Sequence, residues 1–228
     1  MLSAEALRLA AVEVLCPTAA ILAGEGYPTL AGRLVYDSRA VAIEDLDRKA
    51  PYTPTLSLHT PEAGVSLRGP MAAADDTEAD AVLDIVAQLA VVASDDDGEF
   101  ADAMAETDPD ARLVLAALCA QVRFLLERSQ DGGLWRTLVR RIVKIEAQTF
   151  AVPNLGLRWQ RVTMRFHCEI RDDDFDMTGG GLPQPIRRLY EALPDQSYAK
   201  AKLAALASHF PAEVLPPFEG GDAYGPET

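Results

Sequence analysis

Cysteine and histidine, the side chains that most often act as nucleophiles, bases or metal ligands, are few and scattered in this sequence. They are Cys16, Cys119, Cys168, His59, His167 and His209. An odd number of widely separated cysteines indicates neither a disulfide framework nor a paired-cysteine zinc site. His167 and Cys168 are neighbours, and neighbouring residues of a strand point to opposite faces, so they cannot act together as base and nucleophile. Cys168 falls on the apolar side of its segment and is interpreted as a small core residue.

Runs of aspartate are the other groups with the chemistry to hold a ligand. Residues 95–98 (Asp-Asp-Asp-Gly) lack the ligand spacing that a calcium loop requires before its glycine. Asp172–Asp174 and Asp176 have the chemistry for a weak cation site, but we favour a solvated acidic linker. The sequence has no phosphate-binding loop, dinucleotide fingerprint, HExxH motif or nucleophile elbow, and residues 179–181 are interpreted as a flexible glycine joint. We therefore expect no catalytic residue, no metal and no cofactor.

The overall composition is that of an ordinary soluble globular protein. The 228 residues are 49% apolar and 25% charged, which excludes a wholly disordered chain or a fibrous repeat. The formal net charge is −14, which argues against a dedicated nucleic-acid binder. Residues 111–171 nevertheless hold eleven basic and four acidic side chains, and the remainder holds ten and thirty-one. Such polarity favours oriented association between copies or with partners, and a solvated basic sheet face is the alternative.

The N-terminal segment is predicted to be a helix over residues 4–15, with apolar residues at helical spacing. Glu5, Arg8 and Glu13 interrupt the apolar run and no basic stretch precedes it, so a signal peptide is not expected. No uncharged stretch reaches the roughly 20 residues of a membrane span. We therefore expect a soluble protein, without membrane contact, made in a reducing compartment.

Several segments are predicted to form strands of one sheet. Residues 33–36 and 55–60 read as short strands, the second of them bordered by prolines. Residues 139–149 and 157–170 alternate between apolar and polar side chains and predict an antiparallel hairpin with one wet face. Residues 81–93 are almost wholly apolar, and periodicity alone leaves strand and buried helix both open.

Residues 109–128 give the clearest helix pattern, with Asp108 as N-cap and Pro109 at the first helical position. After Arg171 the composition changes. Two short helices are predicted at 184–192 and 197–209, and the stretch rich in proline and glycine beyond them is predicted to be a mobile tail.

Residues 35–46, Val-Tyr-Asp-Ser-Arg-Ala-Val-Ala-Ile-Glu-Asp-Leu, followed by a strand at 55–60, resemble the opening of the lambda-type tail terminator proteins of long-tailed bacteriophages. The order of the predicted elements is also similar to that family across residues 1–171. The resemblance favours a strand for residues 81–93. The acidic insert around 95–108 and the 57 residues after Arg171 depart from the family's smaller members.

The resemblance implies a structural virion protein rather than an enzyme. Tail terminators form a hexameric ring that caps the head-proximal end of the tail tube, stops tube growth and presents a surface to the head. The implied partners are further copies of the chain in a six-copy ring, the tail tube protein, and a connector or neck protein on the head side. DNA would only pass through the lumen. The implied location is the tail or neck of the virion, after assembly in the host cytoplasm.

Two groups of residues are candidates for contact surfaces. The candidates for a subunit or tube interface are Tyr36, Asp37, Ser38 and Arg39. The candidates for a basic patch on the wet face of the hairpin are Arg140, Arg141, Lys144, Arg161 and Arg165. In the alternative interpretation, Asp37 and Arg39 satisfy a turn, and Lys144 and Arg161 pair with Glu146 or Glu169.

The predicted fold class is α+β, a mainly antiparallel sheet of four or five strands packed by helices 4–15 and 109–128. Residues 1–171 are expected to form the terminator-like domain. Residues 172–228 are expected to form an acidic, glycine-containing linker, short helices and a Pro/Gly-rich tail. A head–tail connector or tail-completion protein is a second functional hypothesis. A small-molecule enzyme with its site between helix 109–128 and the sheet is a third.

Overall fold

The computed structural model describes residues 1–71, 73, 77–95, 98–104, 108–128, 133–152, 157–175 and 180–211. The expected mobile tail, the hairpin connector at 153–156, and Asp96, Asp97 and Asp176 lie outside these residues. Within them, no helix is long and apolar enough to cross a membrane.

The described chain forms a mixed α+β fold with six helices on a six-stranded, mostly antiparallel open sheet. The helices are α1 (Leu2–Leu15), α2 (Thr18–Ala23), α3 (Pro109–Arg123), α4 (Gly133–Leu138), α5 (Ile186–Ala192) and α6 (Tyr198–Ala207). The strands are β1 (Val35–Asp37), β2 (Thr53–Leu67), β3 (Thr77–Asp95), β4 (Gly98–Ala103), β5 (Val139–Val152) and β6 (Leu157–Ile170). The α+β class is confirmed, and the expected count of four or five strands is corrected to six.

The long strand β3 organises the sheet, whose order is β1-β2-β3-β6-β5. One edge of β3 pairs with β2, and the other pairs with β6 over Ala79–Gln88 and then with β4 over Ala90–Asp95. Only β1 is parallel to its neighbour, β2. The extra strand, β4, went unpredicted because its sequence, Gly-Glu-Phe-Ala-Asp-Ala, carries little apolar alternation.

The strand expected at residues 55–60 is longer than its bordering prolines indicated. It begins before Pro54 and continues through Pro61 to Leu67. Pro61 is accommodated because the register between β2 and β3 shifts by one residue between His59 and Glu62. Since proline has no N–H to donate to the ladder, a bulge is where a strand tolerates it.

The segment at 81–93 is a strand, as the resemblance favoured. Its alternate residues from Ala79 to Leu89 are almost fully buried on the face that packs against the helices. The residues between them, such as Asp84 and Val86, are half-buried on the opposite face. Because both faces of this strand carry mainly apolar residues, the sequence does not show the period of two.

The predicted N-terminal helix is confirmed as α1, and it lies at the centre of the helical layer. It contacts β2 and β3 below it and α4, α5 and α6 around it. Nearly all its residues are therefore buried, including Leu7, Ala10 and Leu15. The predicted helix at 109–128 is also confirmed, as α3 followed by a π-helical turn at Phe124–Arg128. Asp108 caps it by accepting a 2.9 Å hydrogen bond from the backbone N–H of Asp110.

The described residues after Arg171, 172–175 and 180–211, pack on the same core. The carboxylate of Asp173 accepts hydrogen bonds of 2.7 Å from the backbone N–H groups of Leu2 and Ser3, which satisfies the start of α1. Leu189 and Leu203, from the confirmed helices α5 and α6, are buried in that core. The solvated linker expected at Asp172–Asp174 is thus corrected to a set of specific contacts.

Glu13 of α1 forms hydrogen bonds to α2 and to the start of α6. Its buried carboxylate accepts hydrogen bonds from the N–H and hydroxyl of Thr18, both at 2.8 Å, and from the hydroxyl of Ser197 at 2.7 Å. Three donors compensate the burial of this carboxylate. The polar break that Glu13 makes in α1 is therefore a connection to α2 and α6.

Candidate assembly interface

The Tyr36–Arg39 segment does not present one continuous surface. Tyr36 is 2% exposed, and its hydroxyl donates a 3.1 Å hydrogen bond to Asp45. Burial and this carboxylate raise the pKa of Tyr36 well above its usual value. Asp37 points to the other face of the strand, towards the helices. Ser38, with a φ of 52°, then turns the chain.

Asp37 joins three parts of the fold. It accepts hydrogen bonds from the Nε of Arg8 in α1 and, at 2.9 Å, from the hydroxyl of Tyr198 in α6. Arg8 also donates to Thr60 of β2 at 2.8 Å and to Glu5. Burial and the Asp37 carboxylate raise the pKa of Tyr198. These contacts give Asp37 a structural role between β1 and both terminal helices.

Ser38 and Arg39 are the exposed members of the segment. The guanidinium of Arg39 lies 4.8 Å above the ring of Tyr36. This cation–π contact holds the side chain on the sheet face opposite the helices. The loop of Ser38 and Arg39 therefore remains a candidate interface, whereas Tyr36 and Asp37 are occupied within the fold.

Four of the five basic candidates lie beside acidic partners. Arg165 makes two hydrogen bonds to Asp84, at 2.8 and 2.9 Å. The Nζ of Lys144 lies 2.7 Å from Glu146, which is two residues further along the same strand rather than across strands as expected.

Arg141 and Arg161 also lie beside acidic side chains. Arg141 pairs with Glu169. Arg161 bonds Gln88 at 2.9 Å and lies 3.6 Å from Asp102, so its expected pairing with Glu146 or Glu169 is wrong. The partners on β3 and β4 went unpredicted because strand register is set by tertiary pairing. The hairpin face is a ladder of opposite charges.

These charges form transverse rows on the sheet face opposite α1, here called the outer face. One row runs His59, Asp84, Arg165 and Glu146 across β2, β3, β6 and β5. The next row runs Glu62, Val82, His167 and Lys144 across the same strands. Glu62 of β2 and Lys144 of β5 therefore lie at the same height at opposite sides of the sheet.

Both sides of the sheet end in strand edges that are open in the described chain. β5 has β6 on one side and no described strand on the other. β1 pairs with β2 only at Leu56–Leu58, which leaves the outer edge of residues 59–67 without a described strand partner. Exposed apolar side chains accompany both edges, Val143 and Phe150 on β5, and Val65 and Leu67 on β2. Unpaired edges of this length are templates for another chain.

Arg140 differs from the other basic candidates. It lines a cleft of about 680 Å³ at one end of the sheet, together with Arg68 after β2 and side chains from β3, α5 and the segment after β6.

The region between α3 and the sheet is apolar core. Leu115, Leu118 and Val122 of α3 are fully buried, as is Phe166 of β6. Trp135 meets Phe166 edge-on, with ring centroids 6.5 Å apart. The centre of this region is thus filled by close-packed apolar side chains, with the polar side chain of Gln160 buried near the start of α3.

The three cysteines provide a test of this packing. Burial raises the pKa of Cys16 and of Cys119 to about 11, and that of Cys168 to about 12. Because the thiolate is the reactive form, we expect alkylation at pH 8 to be about a hundredfold slower in the folded protein than in denaturant. Mass spectrometry of iodoacetamide-treated samples measures this. Rapid labelling of the folded protein at Cys16 or Cys168 would contradict the packing described.

Within the described ranges, no group of three or more histidine, cysteine, aspartate or glutamate side chains is placed to hold a metal ion. Comparisons of the chain with protein-family models, with curated proteins and with solved structures find no match.

Residues that connect the ends of the chain, such as Glu13, Asp173 and Tyr198, had no local signal in the sequence. Each of them has a partner 160 or more residues away along the chain.

Proposed function

We propose that this chain is a non-enzymatic, ring-forming structural protein of a long-tailed bacteriophage, acting as the terminator of the tail tube. The observation that carries the proposal is a sheet with two unlike open edges that match each other in direction and height. Such a subunit suits head-to-tail association, and a head-to-tail contact forms a ring when its rotation closes.

Strand direction favours pairing between the two edges. Across the sheet, β2 is antiparallel to β3, β3 to β6, and β6 to β5. After these three reversals, β5 runs antiparallel to β2 within one subunit. A rotation about an axis roughly along the strands preserves strand direction. It would bring β5 of one copy alongside β2 of the next as a further antiparallel pair, continuing the sheet from subunit to subunit.

Charge favours the same pairing. Lys144 and Glu62 occupy the same transverse row, and both side chains are largely exposed, at 60% and 64%. Without a stagger between copies, Lys144 of one subunit would face Glu62 of the next. Complementary charges at such a contact contribute mainly to specificity and to the register between subunits.

The remaining parts of the proposal follow the resemblance to terminator proteins. The ring would hold six copies, cap the head-proximal end of the tube, and contact the tube protein on one side and a connector or neck protein on the other. It would assemble in the host cytoplasm and remain in the virion. The net charge of −14 suits a lumen through which DNA passes without binding.

Disruption of the reading frame in the phage that encodes this chain tests the proposal. A terminator stops tube growth, so we expect tail tubes longer than those of the parent phage and without heads. Expression of the intact chain from a plasmid is the control and should restore tails of parental length. Tails of normal length that fail to join heads would replace the terminator by the connector hypothesis. Complete particles would overturn both.

A further inference from the structure

The cleft at the end of the sheet, here called the arginine cleft, gathers positive charge in an acidic protein. Its basic side chains are Arg68, Arg140, Arg171 and Arg188, which come from the residue after β2, from β5, from the segment after β6, and from α5. Its other lining residues are Thr77, Asp172, Asp173, Asp174, Gln184 and Pro185. Four guanidinium groups therefore converge from four separate stretches of the chain.

Two of the three aspartates in the arginine cleft accept hydrogen bonds from donors other than the arginines. Both carboxylate oxygens of Asp173 accept from the start of α1. Asp172 accepts from the hydroxyl of Thr77 at 2.7 Å and from the backbone N–H of Asp173 at 2.8 Å. The carboxylates of Asp172 and Asp173 thus accept from donors of the fold rather than from the arginines.

Three of the arginines have no ion-pair partner in the described part of the chain. No described carboxylate lies within 4 Å of the guanidinium of Arg140, Arg171 or Arg188, and all three side chains are exposed. Arg140 contrasts with its neighbour Arg141, which pairs with Glu169. Exposed guanidinium groups left unpaired in this way are suited to carboxylates from another segment.

The last described residues bring the chain close to the cleft. The carbonyl of Phe210 accepts a 2.6 Å hydrogen bond from the N–H of Gly181, three residues before Gln184 of the cleft lining. The ring of Phe210 also packs on Phe175, with centroids 5.8 Å apart. Phe210, two residues before Ala212, therefore lies close to the arginine cleft.

The composition of residues 212–228 complements the cleft. This segment contains Glu213, Glu219, Asp222 and Glu227, and no lysine, arginine or histidine. Seventeen residues can extend up to about 55 Å, so the reach of the segment does not limit it. Its four acidic side chains are enough to pair with the three arginines that have no described ion-pair partner.

We propose that the acidic segment 212–228 binds in the arginine cleft of its own chain, where its carboxylates pair with Arg140, Arg171 and Arg188. The segment then covers these three arginines of an acidic subunit. This contact does not depend on the proposed role in tail termination.

Digestion of the full-length chain by a glutamate-specific protease tests the proposal, because it cleaves after Glu213 and Glu219. The rate of loss of the C-terminal fragments is followed by mass spectrometry. We expect the variant Arg140→Gln/Arg171→Gln/Arg188→Gln to lose them about tenfold faster than the parent protein. Raising the salt from 0.05 to 0.5 M should accelerate cleavage of the parent but not of the variant.

A matched variant, Arg48→Gln/Arg123→Gln/Arg128→Gln, removes the same charge outside the arginine cleft and should be cleaved at the parental rate. If the triple cleft variant does not fold, Arg188→Gln on the exposed side of α5 should still accelerate cleavage about twofold to threefold. Equal rates for parent and cleft variants would overturn the proposal. Cleavage that slows as the protein concentration rises would assign the segment to a neighbour's cleft and overturn binding within one chain.

Discussion

Lys144→Glu is expected to abolish ring assembly, and adding Glu62→Lys to it is expected to restore assembly. In the proposed contact, the single substitution places two carboxylates opposite each other at every subunit boundary. Like charges brought together at an interface cost several kcal/mol, and each 1.4 kcal/mol lowers an association constant tenfold. The double variant reverses the polarity of the contact and recovers the attraction. Sedimentation velocity at matched concentrations measures the assembled fraction.

Folding of the subunit should survive these changes. Lys144 forms an exposed ion pair with Glu146, and exposed pairs contribute at most about 1 kcal/mol to stability. Lys49→Glu makes the same charge change in the exposed segment before β2 and is expected to assemble like the parent protein. If Lys144→Glu assembled normally, or if the double variant were no better than the single one, pairing of β5 with β2 would be refuted.

Asp37→Ala is expected to lower the free energy of unfolding by about 3 kcal/mol. It removes the acceptor that holds Arg8 of α1 and Tyr198 of α6 against β1. The side chain of Arg8 is only 12% exposed, and it would keep Glu5 as its carboxylate partner. Removing one member of a largely buried ion pair commonly costs about 3–5 kcal/mol because the other charge stays buried. Urea unfolding followed by circular dichroism measures the loss.

Arg39→Ala, two residues further along, provides the contrast. It removes a cation–π contact at an exposed site, so its stability cost should not exceed about 1 kcal/mol. If the loop of Ser38 and Arg39 contacts a neighbouring subunit or the tube, this variant should assemble poorly while it folds normally. A loss of stability below about 0.5 kcal/mol in Asp37→Ala would contradict the connecting role given to Asp37.

Local sequence patterns were sufficient for the elements whose signals are local. The alternation in residues 157–170 indicated β6, and Asp108 with Pro109 marked the start of α3, because strand period and helix capping are properties of adjacent residues. The strand β4 was missed because its short sequence lacks this alternation. α4 was also missed, since its six residues, Gly-Leu-Trp-Arg-Thr-Leu, give too short a window for helical periodicity.

The surface groups were predicted less completely for a related reason. The sequence identified Arg161 and Arg165 as members of the polar side of one strand. It did not reveal that Asp102 and Asp84 would face them, because those residues lie 59 and 81 positions away along the chain. Likewise, nothing local showed that Asp173 would cap α1. Side-chain type is a local property, whereas electrostatic partnership depends on register and topology.

The native mass of the purified protein over a range of concentrations, with negative-stain microscopy of the same samples and of samples mixed with tail tubes, tests the central claim most directly. A closed ring of six copies, free in solution or seated on tube ends, is the predicted result. A strict monomer at every concentration that also leaves tube ends bare would contradict the account.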